Sequence, residues 1–220
     1  MTVLKEVLQA KSIRIAGEPK DIDAQKTPPD YTSAMKIASF TSIPLSEIVK
    51  TINKPSQNLY AEQLFRTMGM VFYGQGGMRT GRYVAHPIFS RWGMDTTRLE
   101  VVDGSGLSRL DLVSPSNIVA LLTGMHQGKY FQPFYESLPI AGVDGSLKNR
   151  MKGTKAENNV HGKTGFVGYV RSLSGYVTSA DGEMFAFSMI ANHYTVPTSM
   201  AEKIQNDVCV RLANFSRKDN

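Results

Sequence analysis

The chain offers little cysteine or histidine chemistry. Cys209 is its single cysteine, so neither an intrachain disulfide nor a cysteine-based metal site can form. Its 4 histidines are scattered and show no spacing typical of zinc ligands. The sequence therefore predicts that the protein binds no metal and no cofactor. One cysteine does not indicate a cellular compartment.

Long apolar runs are also missing. The first ten residues, M-T-V-L-K-E-V-L-Q-A, have too few consecutive apolar positions for a signal peptide, and no later run is long enough to span a membrane. As a whole protein the chain would be cytosolic. As a piece of a longer protein it would carry no information about export.

The sequence has no internal repeat, no low-complexity segment and no basic cluster. Its 220 residues are 41% hydrophobic, enough for one substantial core, which predicts one domain or part of one. The formal charge is +6, but Lys and Arg are spread along the chain without interleaved aromatics, which argues against a nucleic-acid partner. The same charge suits long-range attraction to an anionic polymer.

Apolar spacing predicts three helices in the first third of the chain. One covers residues 3–11, and residues 18–34 after it are predicted to be loop. The β-like run K-I-A-S-F-T-S covers residues 36–42. Ser46 is predicted to cap a second helix that ends near Pro55. The third helix has an apolar face made of Ala61, Leu64, Phe65 and Met68.

Further helices are predicted in the rest of the chain. Glycines from residue 69 to residue 81 predict a loop, followed by a short helix over 83–92. Ser114 and Pro115 are an N-cap and a first helical residue, and the helix they open has a predicted core stripe. Another turn or two is predicted at 131–138 and a C-terminal helix at 198–215. The stripe consists of Ile118, Leu121, Leu122 and Met125.

Three strands are predicted between residues 160 and 192. Runs at 169–180 and 183–192 are rich in β-formers, and Asp181-Gly182 suits a two-residue hairpin turn. The stretch V-H-G-K-T-G-F-V-G-Y at 160–169 opens this meander as an edge strand. Helices, a meander and a final helix predict an α+β fold. The aromatics predicted to lie in the core or on strand faces are Tyr169, Tyr176, Phe185 and Phe187.

Two short motifs carry candidate chemistry. Lys163 and Thr164 can hold a carboxylate with one charge-assisted and one neutral hydrogen bond, and Gly165 removes a side chain that would block a substrate backbone. Ser56 and Asn58 lie at a helix junction. Taken singly, Lys163 would be a solvated strand lysine, Ser56 a helix cap and Asn58 a turn former.

Four stretches together resemble the D-alanyl-D-alanine carboxypeptidases of the class C low-molecular-mass penicillin-binding proteins, the S13 serine peptidases. They are S-Q-N-L-Y-A-E-Q-L-F at 56–65, D-G-S-G-L-S-R at 103–109, L-P-I-A-G-V-D-G-S-L at 138–147 and H-G-K-T-G at 161–165. The resemblance runs from about residue 3 to about residue 215. It implies the C-terminal part of a penicillin-binding-protein/β-lactamase-like transpeptidase domain, with an antiparallel sheet packed against helices.

The resemblance implies a serine acyl-enzyme mechanism on peptidoglycan stem peptides that end in D-Ala-D-Ala. Ser56 matches the serine that relays a proton to the leaving D-alanine, and Asn58 matches the residue that bonds the nucleophile's lysine and the substrate amide. Lys163, Thr164 and Gly165 match the third motif, in which the threonine receives the carboxylate of a substrate or a β-lactam. By resemblance the protein is periplasmic or otherwise extracytoplasmic. Asp103 and His161 are predicted to be structural.

The first motif of the family, S-x-x-K with the nucleophilic serine, lies far toward the N-terminus, separated from the second motif by inserted domains. Residues 1–220 are therefore predicted to be one partial domain that lacks the nucleophile segment. Ser33-Ala34-Met35-Lys36 has the right letters, but the chain around it reads as loop running into strand. Ser33 is predicted to be an ordinary linker serine, with Lys36 on extended backbone away from the cleft.

Two classes of function stay open at this point. The first is the substrate-binding part of a D,D-peptidase, inactive without its N-terminal portion. The second is a non-catalytic chain that binds peptidoglycan or a partner protein. Either way, Ser56, Asn58 and Lys163 are predicted to converge on one cleft. A chain without the nucleophile helix is also predicted to expose apolar surface and to self-associate.

Overall fold

The computed structural model describes residues 2–22, 24–27 and 29–219, which form two units that divide between Ser42 and Ile43. The first unit contains one helix, α1 (Thr2–Ala10), which matches the predicted helix at 3–11. Lys5 on this helix forms an ion pair of 2.6 Å with Glu18. The described residues between 18 and 34 are turns and irregular chain, as predicted.

The β-like run at 36–42 does not form a strand, so this prediction is wrong. All seven residues are exposed, and Phe40 is 93% exposed. A strand is stable only when a neighbour pairs its backbone N–H and C=O groups. The first unit, over the residues described, supplies no such neighbour.

The second unit begins with three helices, α2 (Leu45–Asn53), α3 (Asn58–Tyr73) and α4 (Met78–Arg91). The predicted cap at Ser46 is wrong, because α2 starts directly after Pro44, whose carbonyl accepts the N–H groups of Glu47 and Ile48. Proline sets φ and leaves Ser46 inside the first turn.

The loop between α3 and α4 covers only residues 74–77, so the predicted loop at 69–81 is too long. Gly69 and Gly81 are helical and mark the place where the two helices touch. A Cβ on Gly81 would lie 2.6 Å from the Phe65 carbonyl oxygen. These glycines allow close packing and do not break the helices. Gly74, with φ of 71°, is the residue that ends α3.

The remaining helices are α5 (Pro115–His126), α6 (Phe131–Ser137) and α7 (Thr198–Asn214), close to their predicted bounds. The predicted cap of α5 is confirmed, since Ser114 Oγ accepts the Asn117 N–H at 3.2 Å. Of the stripe predicted for the core, Leu122 is fully buried and the other three residues are partly buried. Over the described residues, none of the helices is long and apolar enough to cross a membrane.

The sheet is an antiparallel meander in the order β1 (His161–Val167), β2 (Val170–Thr178) and β3 (Met184–Asn192). Lys163 pairs with Ser174, and Gly162 pairs with Gly175. The hairpin connection is close to the predicted place but is not the predicted two-residue turn at 181–182: the Gly182 N–H donates to the Ser179 carbonyl at 3.0 Å, so the turn spans 179–182, and Gly182 follows its two central residues with φ of 81°. The α+β prediction is confirmed.

Helices cover both faces of the sheet. On one face, α7 buries Cys209 and Ala213 against Leu173, Val177 and Phe187. On the other face, Tyr176 packs with α5 and α6 and donates a hydrogen bond of 2.7 Å to the Leu122 carbonyl. One aromatic prediction is wrong: Tyr169 is 67% exposed, because it lies in the β1–β2 turn with φ of 64°.

Candidate active site

Ser56 and Lys163 meet at the edge of the sheet although 107 residues separate them in sequence. The Lys163 ammonium donates one hydrogen bond of 2.8 Å to Ser56 Oγ and another of 2.8 Å to the Thr164 carbonyl. Charge-assisted bonds of this kind are stronger than neutral ones. The Ser56 hydroxyl therefore has an ammonium on one side and can donate its own proton to a third group.

Ser56 is held in an uncommon backbone conformation between α2 and α3. Its φ is 61°, in the left-handed region that costs a residue other than glycine free energy. The Gln57 N–H closes the turn by donating to the Ile52 carbonyl at 3.0 Å. The turn places Ser56 beside β1 and makes Asn58 the first residue of α3.

A cavity of about 310 Å³ opens beside this contact. Asn58, Thr164 and Gly165 line it together with Ser56 and Lys163, so the structure brings all five predicted site residues around one space. The opposite wall comes from the 105–107 segment, within the D-G-S-G-L-S-R stretch. The other lining residues are Ile52, Gln57, Ala61, Ser105, Gly106, Leu107 and Phe166.

The electrostatic setting of Lys163 is unusual for a lysine. Burial lowers the pKa of its ammonium, and the positive charge of Arg171 lowers that pKa further. Arg171 is itself fixed by an ion pair with Glu202 and by the Phe166 ring, whose centroid lies 5.4 Å from the guanidinium carbon. A partly buried ammonium attracts an anion strongly, since little solvent screens it.

Thr164 is oriented by Ser146, for which the sequence predicts no role. Its hydroxyl donates a hydrogen bond of 2.8 Å to Ser146 Oγ. Ser146 lies in a short 3-10 turn at Gly145–Leu147, at the end of the L-P-I-A-G-V-D-G-S-L stretch. The stretch at 138–147 is one of the four that carry the family resemblance. Its sequence does not show which strand residue the Ser146 hydroxyl will contact.

An ion pair between Lys54 and Asp144 connects the turn that carries Ser56 to the turn that carries Ser146. The Lys54 ammonium contacts Asp144 Oδ2 at 2.5 Å and donates to the Leu138 carbonyl at 3.0 Å. Lys54 lies two residues before Ser56, and its own carbonyl accepts the Ser146 N–H at 3.2 Å. The pair therefore fixes Ser56 relative to Ser146 and, through Ser146, relative to Thr164.

Lys54→Met is expected to destabilise the second unit by about 2 kcal/mol, because a partly buried Asp144 carboxylate loses its partner. The measurement is the free energy of unfolding from denaturant titration. Lys203→Met is the matched control, since its ion pair with Asp207 is exposed and should contribute at most about 0.5 kcal/mol. Equal losses in the two variants would contradict the bracing role of Lys54.

Gly165 has a packing reason to be glycine in addition to the predicted clearance for substrate. A Cβ at this position would lie 2.3 Å from Ser172 Oγ on the neighbouring strand. Any side chain would therefore push β1 away from β2 or displace Ser172. Since β1 carries Lys163, such a shift would move the ammonium relative to Ser56.

His161 packs behind the site. Its ring stacks on Tyr135 with centroids 3.9 Å apart, and its Nδ1 lies 3.3 Å from the Tyr135 carbonyl. Burial lowers the pKa of this imidazole below its ordinary value of 6.5, and the charge of Lys54 acts in the same direction. Asp144 and the Tyr135 carbonyl oppose the shift. The neutral ring is therefore the form that the fold prefers.

In His161→Phe the free energy of unfolding is expected to fall less steeply as the pH is lowered. In the unfolded chain the histidine takes up a proton near its ordinary value of 6.5, whereas in the fold it does so only at lower pH. Stability is therefore lost as pH falls through this window, by at most about 1.4 kcal/mol per pH unit. Phenylalanine keeps a ring against Tyr135 but cannot be protonated. Identical slopes for the two proteins in denaturant titrations at several pH values would rule out this role.

Ser33 lies in a turn and the residues from Ala34 to Lys36 have no helical structure, so the S-x-x-K letters at 33–36 lack the helix that would align the two side chains. Within residues 2–22, 24–27 and 29–219, no group of three or more His, Cys, Asp or Glu side chains could hold a metal ion.

Comparison with known sequences gives a consistent result. Residues 1–215 match the family model described as the D-Ala-D-Ala carboxypeptidase 3 (S13) family. A D-alanyl-D-alanine carboxypeptidase from Actinomadura sp. (strain R39) is 36% identical over 219 residues, which are 97% of this chain and 40% of the relative. The D-alanyl-D-alanine carboxypeptidase DacB of Haemophilus influenzae is 32% identical over 162 residues, 72% of this chain and 34% of the relative. The chain thus spans about two fifths or less of these two relatives.

Solved structures agree on the fold. Penicillin binding protein 4 (dacB) from Haemophilus influenzae, complexed with a β-lactam, superposes with a TM-score of 0.73 at 28% identity and covers 78% of this chain and 42% of that one. The TLA-3 extended-spectrum β-lactamase has a TM-score of 0.59 at 18% identity and covers 78% of this chain and 64% of that one, a likeness of fold alone. The predicted penicillin-binding-protein/β-lactamase-like architecture is confirmed.

Proposed function

Because this chain belongs to the D-Ala-D-Ala carboxypeptidase 3 (S13) family, we propose that it is the substrate-holding portion of a serine-type D,D-peptidase. The substrate is a peptidoglycan stem peptide that ends in D-Ala-D-Ala, and β-lactams occupy the same cleft. The main support is the hydrogen bond of 2.8 Å between Lys163 and Ser56. Both residues line the same cavity as Thr164.

Each site residue has a role in this proposal. The Lys163 ammonium and the Thr164 hydroxyl bind the terminal carboxylate. The single Thr164 hydroxyl proton then turns from Ser146 Oγ to the carboxylate, and the Ser146 hydroxyl donates to Thr164 Oγ1 in its place. Ser56 relays a proton: it passes its own to the nitrogen of the leaving D-alanine and takes up the one that the attacking serine of the N-terminal portion releases through the lysine of its S-x-x-K motif. The Lys163 ammonium stabilises the transient negative charge on the Ser56 oxygen during this exchange. The Asn58 amide bonds the substrate amide. Gly165 lets the substrate backbone approach β1.

The nucleophile is supplied by an N-terminal portion of the same protein in this proposal. Residues 1–220 then form one partial domain, which spans 40% of the Actinomadura relative and 34% of the Haemophilus relative. The non-helical backbone at 33–36 supports this assignment, because it offers no S-x-x-K pair on one helix face. The protein works outside the cytoplasm, where its cell-wall substrate is located.

Lys163→Met is expected to weaken binding of diacetyl-L-Lys-D-Ala-D-Ala to the 220-residue chain by about tenfold or more. The reason is the loss of a charge-assisted bond to the carboxylate in a partly buried site. Isothermal titration calorimetry measures the affinity. Changes in the NMR chemical shifts of the backbone amides of Ser56 and Thr164 show where the peptide binds. Binding needs no nucleophile, so this test does not depend on catalysis.

Two controls sharpen the comparison. Lys152→Met removes an exposed lysine that does not line the cavity and should leave the affinity unchanged. The same peptide with a C-terminal carboxamide should bind the unmodified chain as weakly as the acid binds Lys163→Met. If the peptide acid and the peptide carboxamide bind the unmodified chain with equal affinity, Lys163 does not bind the terminal carboxylate. If neither peptide shifts the site resonances, the non-catalytic alternative is favoured.

A further inference from the structure

The end of α3 that is remote from the cavity carries an unusual apolar surface. Met70, Val71, Phe72 and Tyr73 are consecutive, and each is more than half exposed. Across the short 74–77 loop, Met78 and Tyr83 of α4 are also exposed. We call residues 70–79 together with Tyr83 the hairpin tip. Monomeric soluble proteins rarely leave so many large apolar side chains contiguous and uncovered.

The exposure of the hairpin tip is not that of an ordinary amphipathic helix. Residues 70–76 are exposed without interruption, so the last turn of α3 faces solvent on all sides. A solvent-facing turn normally carries polar residues on its outer side. The Tyr73 and Tyr83 rings contact each other edge to face, with centroids 6.1 Å apart, which ties the two helices together at this end.

The charge around the hairpin tip is of one sign. From Gln63 to Met94 the sequence has four arginines and no aspartate or glutamate. Arg66 and Arg82 pair with Glu62 and Glu100, whereas Arg79, in the first turn of α4, forms no ion pair with any residue that the structure describes. Arg91 is also unpaired among the described residues but ends α4, about 18 Å along the helix from Arg79. The Arg79 guanidinium carbon lies 5.5 Å from the Tyr83 ring centroid, directly on the apolar surface. The four arginines are Arg66, Arg79, Arg82 and Arg91.

We propose that the hairpin tip docks the protein on an anionic lipid bilayer. Phenylalanine and tyrosine favour the boundary between headgroups and acyl chains, and methionine and valine add apolar contact below it. Arg79 then meets the anionic headgroups, held beside the apolar surface by the hydrogen bond of 3.0 Å that its Nε–H donates to the Tyr83 hydroxyl. The occupant is a lipid surface, because apolar side chains and unpaired positive charge are presented together.

A second copy of the chain fits the hairpin tip less well. An isologous dimer would place the same patch on itself and bring Arg79 of both copies together, with no acidic residue between 63 and 94 to separate them. Docking on a bilayer also leaves the cavity accessible. Asn58 at the start of α3 lines the cavity, and 16 helical residues place the other end about 24 Å away.

Flotation with lipid vesicles tests this docking on the 220-residue chain. The chain is expected to float with phosphatidylcholine vesicles that contain phosphatidylglycerol, more strongly at low salt than at high salt. The double variant Phe72→Ser, Tyr73→Ser should lower the partition coefficient by about tenfold or more. Arg79→Gln should lower it by about fivefold on anionic vesicles and leave neutral vesicles unaffected, whereas Arg91→Gln, at the other end of α4, should change neither.

Tyr130→Ser is the matched control. Tyr130 is 63% exposed and has the Lys129 ammonium 4.8 Å from its ring centroid, but it lies before α6 and outside the hairpin tip. Its replacement should not change flotation. Thermal melts of all variants should coincide with that of the unmodified chain, because the replaced side chains are exposed; a variant that melts early is replaced by Phe72→Gln alone.

Three results would overturn the docking. The first is no flotation with anionic vesicles, and the second is flotation that the Phe72→Ser, Tyr73→Ser variant retains. The third is flotation of the 220-residue chain that disappears when the protein carries its upstream segment, which would assign the hairpin tip to a contact within the longer protein. Concentration-dependent sedimentation abolished by the same double variant, without vesicle binding, would assign it to a second copy of the chain.

Discussion

The 220-residue chain alone is expected to form no stable adduct with a fluorescent penicillin and to hydrolyse D-Ala-D-Ala peptides negligibly. In another serine peptidase, removal of the nucleophile costs about 10⁶ in turnover, although the rest of the site remains. Here the cavity contains Ser56, Lys163 and Thr164, but the S-x-x-K letters of the chain at 33–36 are not on a helix. A site that binds a carboxylate without a nucleophile attracts the ligand without forming an acyl bond.

Ser56 is not expected to replace that nucleophile. An attacking serine needs a group that removes its proton, and the Ser56 oxygen instead accepts a hydrogen bond from the Lys163 ammonium. The lowered pKa of Lys163 makes loss of its proton easier than for an exposed lysine. In the proposed function the same ammonium binds the carboxylate, and a neutral amine would lose that attraction.

The measurement is a fluorescent band that survives denaturing electrophoresis. No band is expected from the 220-residue chain. A stoichiometric band is expected when the N-terminal portion that we propose supplies the nucleophile is joined to it or co-expressed with it. Lys163→Met in the longer protein should then slow labelling by about 10³-fold, since one anchoring donor is lost. Lys152→Met should label normally.

A stoichiometric adduct on the chain alone would overturn this prediction, and its position would say how. If mass spectrometry locates the adduct on Ser33, Ser33 is the nucleophile and the 33–36 segment becomes helical on binding. Mapping to Ser56 would make Lys163 its base. Binding of the D-Ala-D-Ala peptide without any labelling, in the short and the longer protein alike, would favour a non-catalytic peptidoglycan-binding protein.

The elements predicted best from the sequence are those whose pattern is local. The cap at Ser114 with Pro115 after it depends on backbone preferences of a few residues and is where the sequence places it. The hairpin around Asp181-Gly182 also has its predicted place, but its turn spans 179–182 and is longer than the two residues predicted. The glycines at 69 and 81 illustrate the opposite case. They indicated a loop by composition, but they are helical because Phe65 and Thr80 pack against them from the other helix.

The candidate site was found from contiguous motifs, and what was missed consists of long-range contacts. Lys163, Thr164 and Gly165 are adjacent in sequence, so a motif identifies them together. Ser146 and Lys54 meet the site through partners 18 and 90 residues away, at Thr164 and Asp144. Single side chains in a turn and a helix end carry no periodic pattern, and only the folded structure shows which residues they contact.

Gly175→Ala is expected to be the most destabilising single substitution in the sheet, by about 4 kcal/mol, which would lower the melting temperature by about 10 °C. A Cβ on Gly175 would lie 2.0 Å from the His161 carbonyl oxygen and 2.6 Å from Gly162 Cα. Both are backbone atoms of β1, so no side-chain rotation relieves the contact, and β1 must separate from β2.

Separation of β1 from β2 would affect the candidate site as well as stability, because β1 is the edge strand that places Lys163 against Ser56. Gly168→Ala is the matched control: in the neighbouring turn, its Cβ would meet only the tip of the Arg109 side chain at 3.3 Å, and a change within about 0.5 kcal/mol is expected. Thermal melts and denaturant titrations measure both variants. A Gly175→Ala protein that retains its stability and peptide affinity would show that the Gly162–Gly175 pair does not set the position of β1. A protein that loses both, beside an unaffected Gly168→Ala variant, would show that close approach of these two strands holds Lys163 against Ser56.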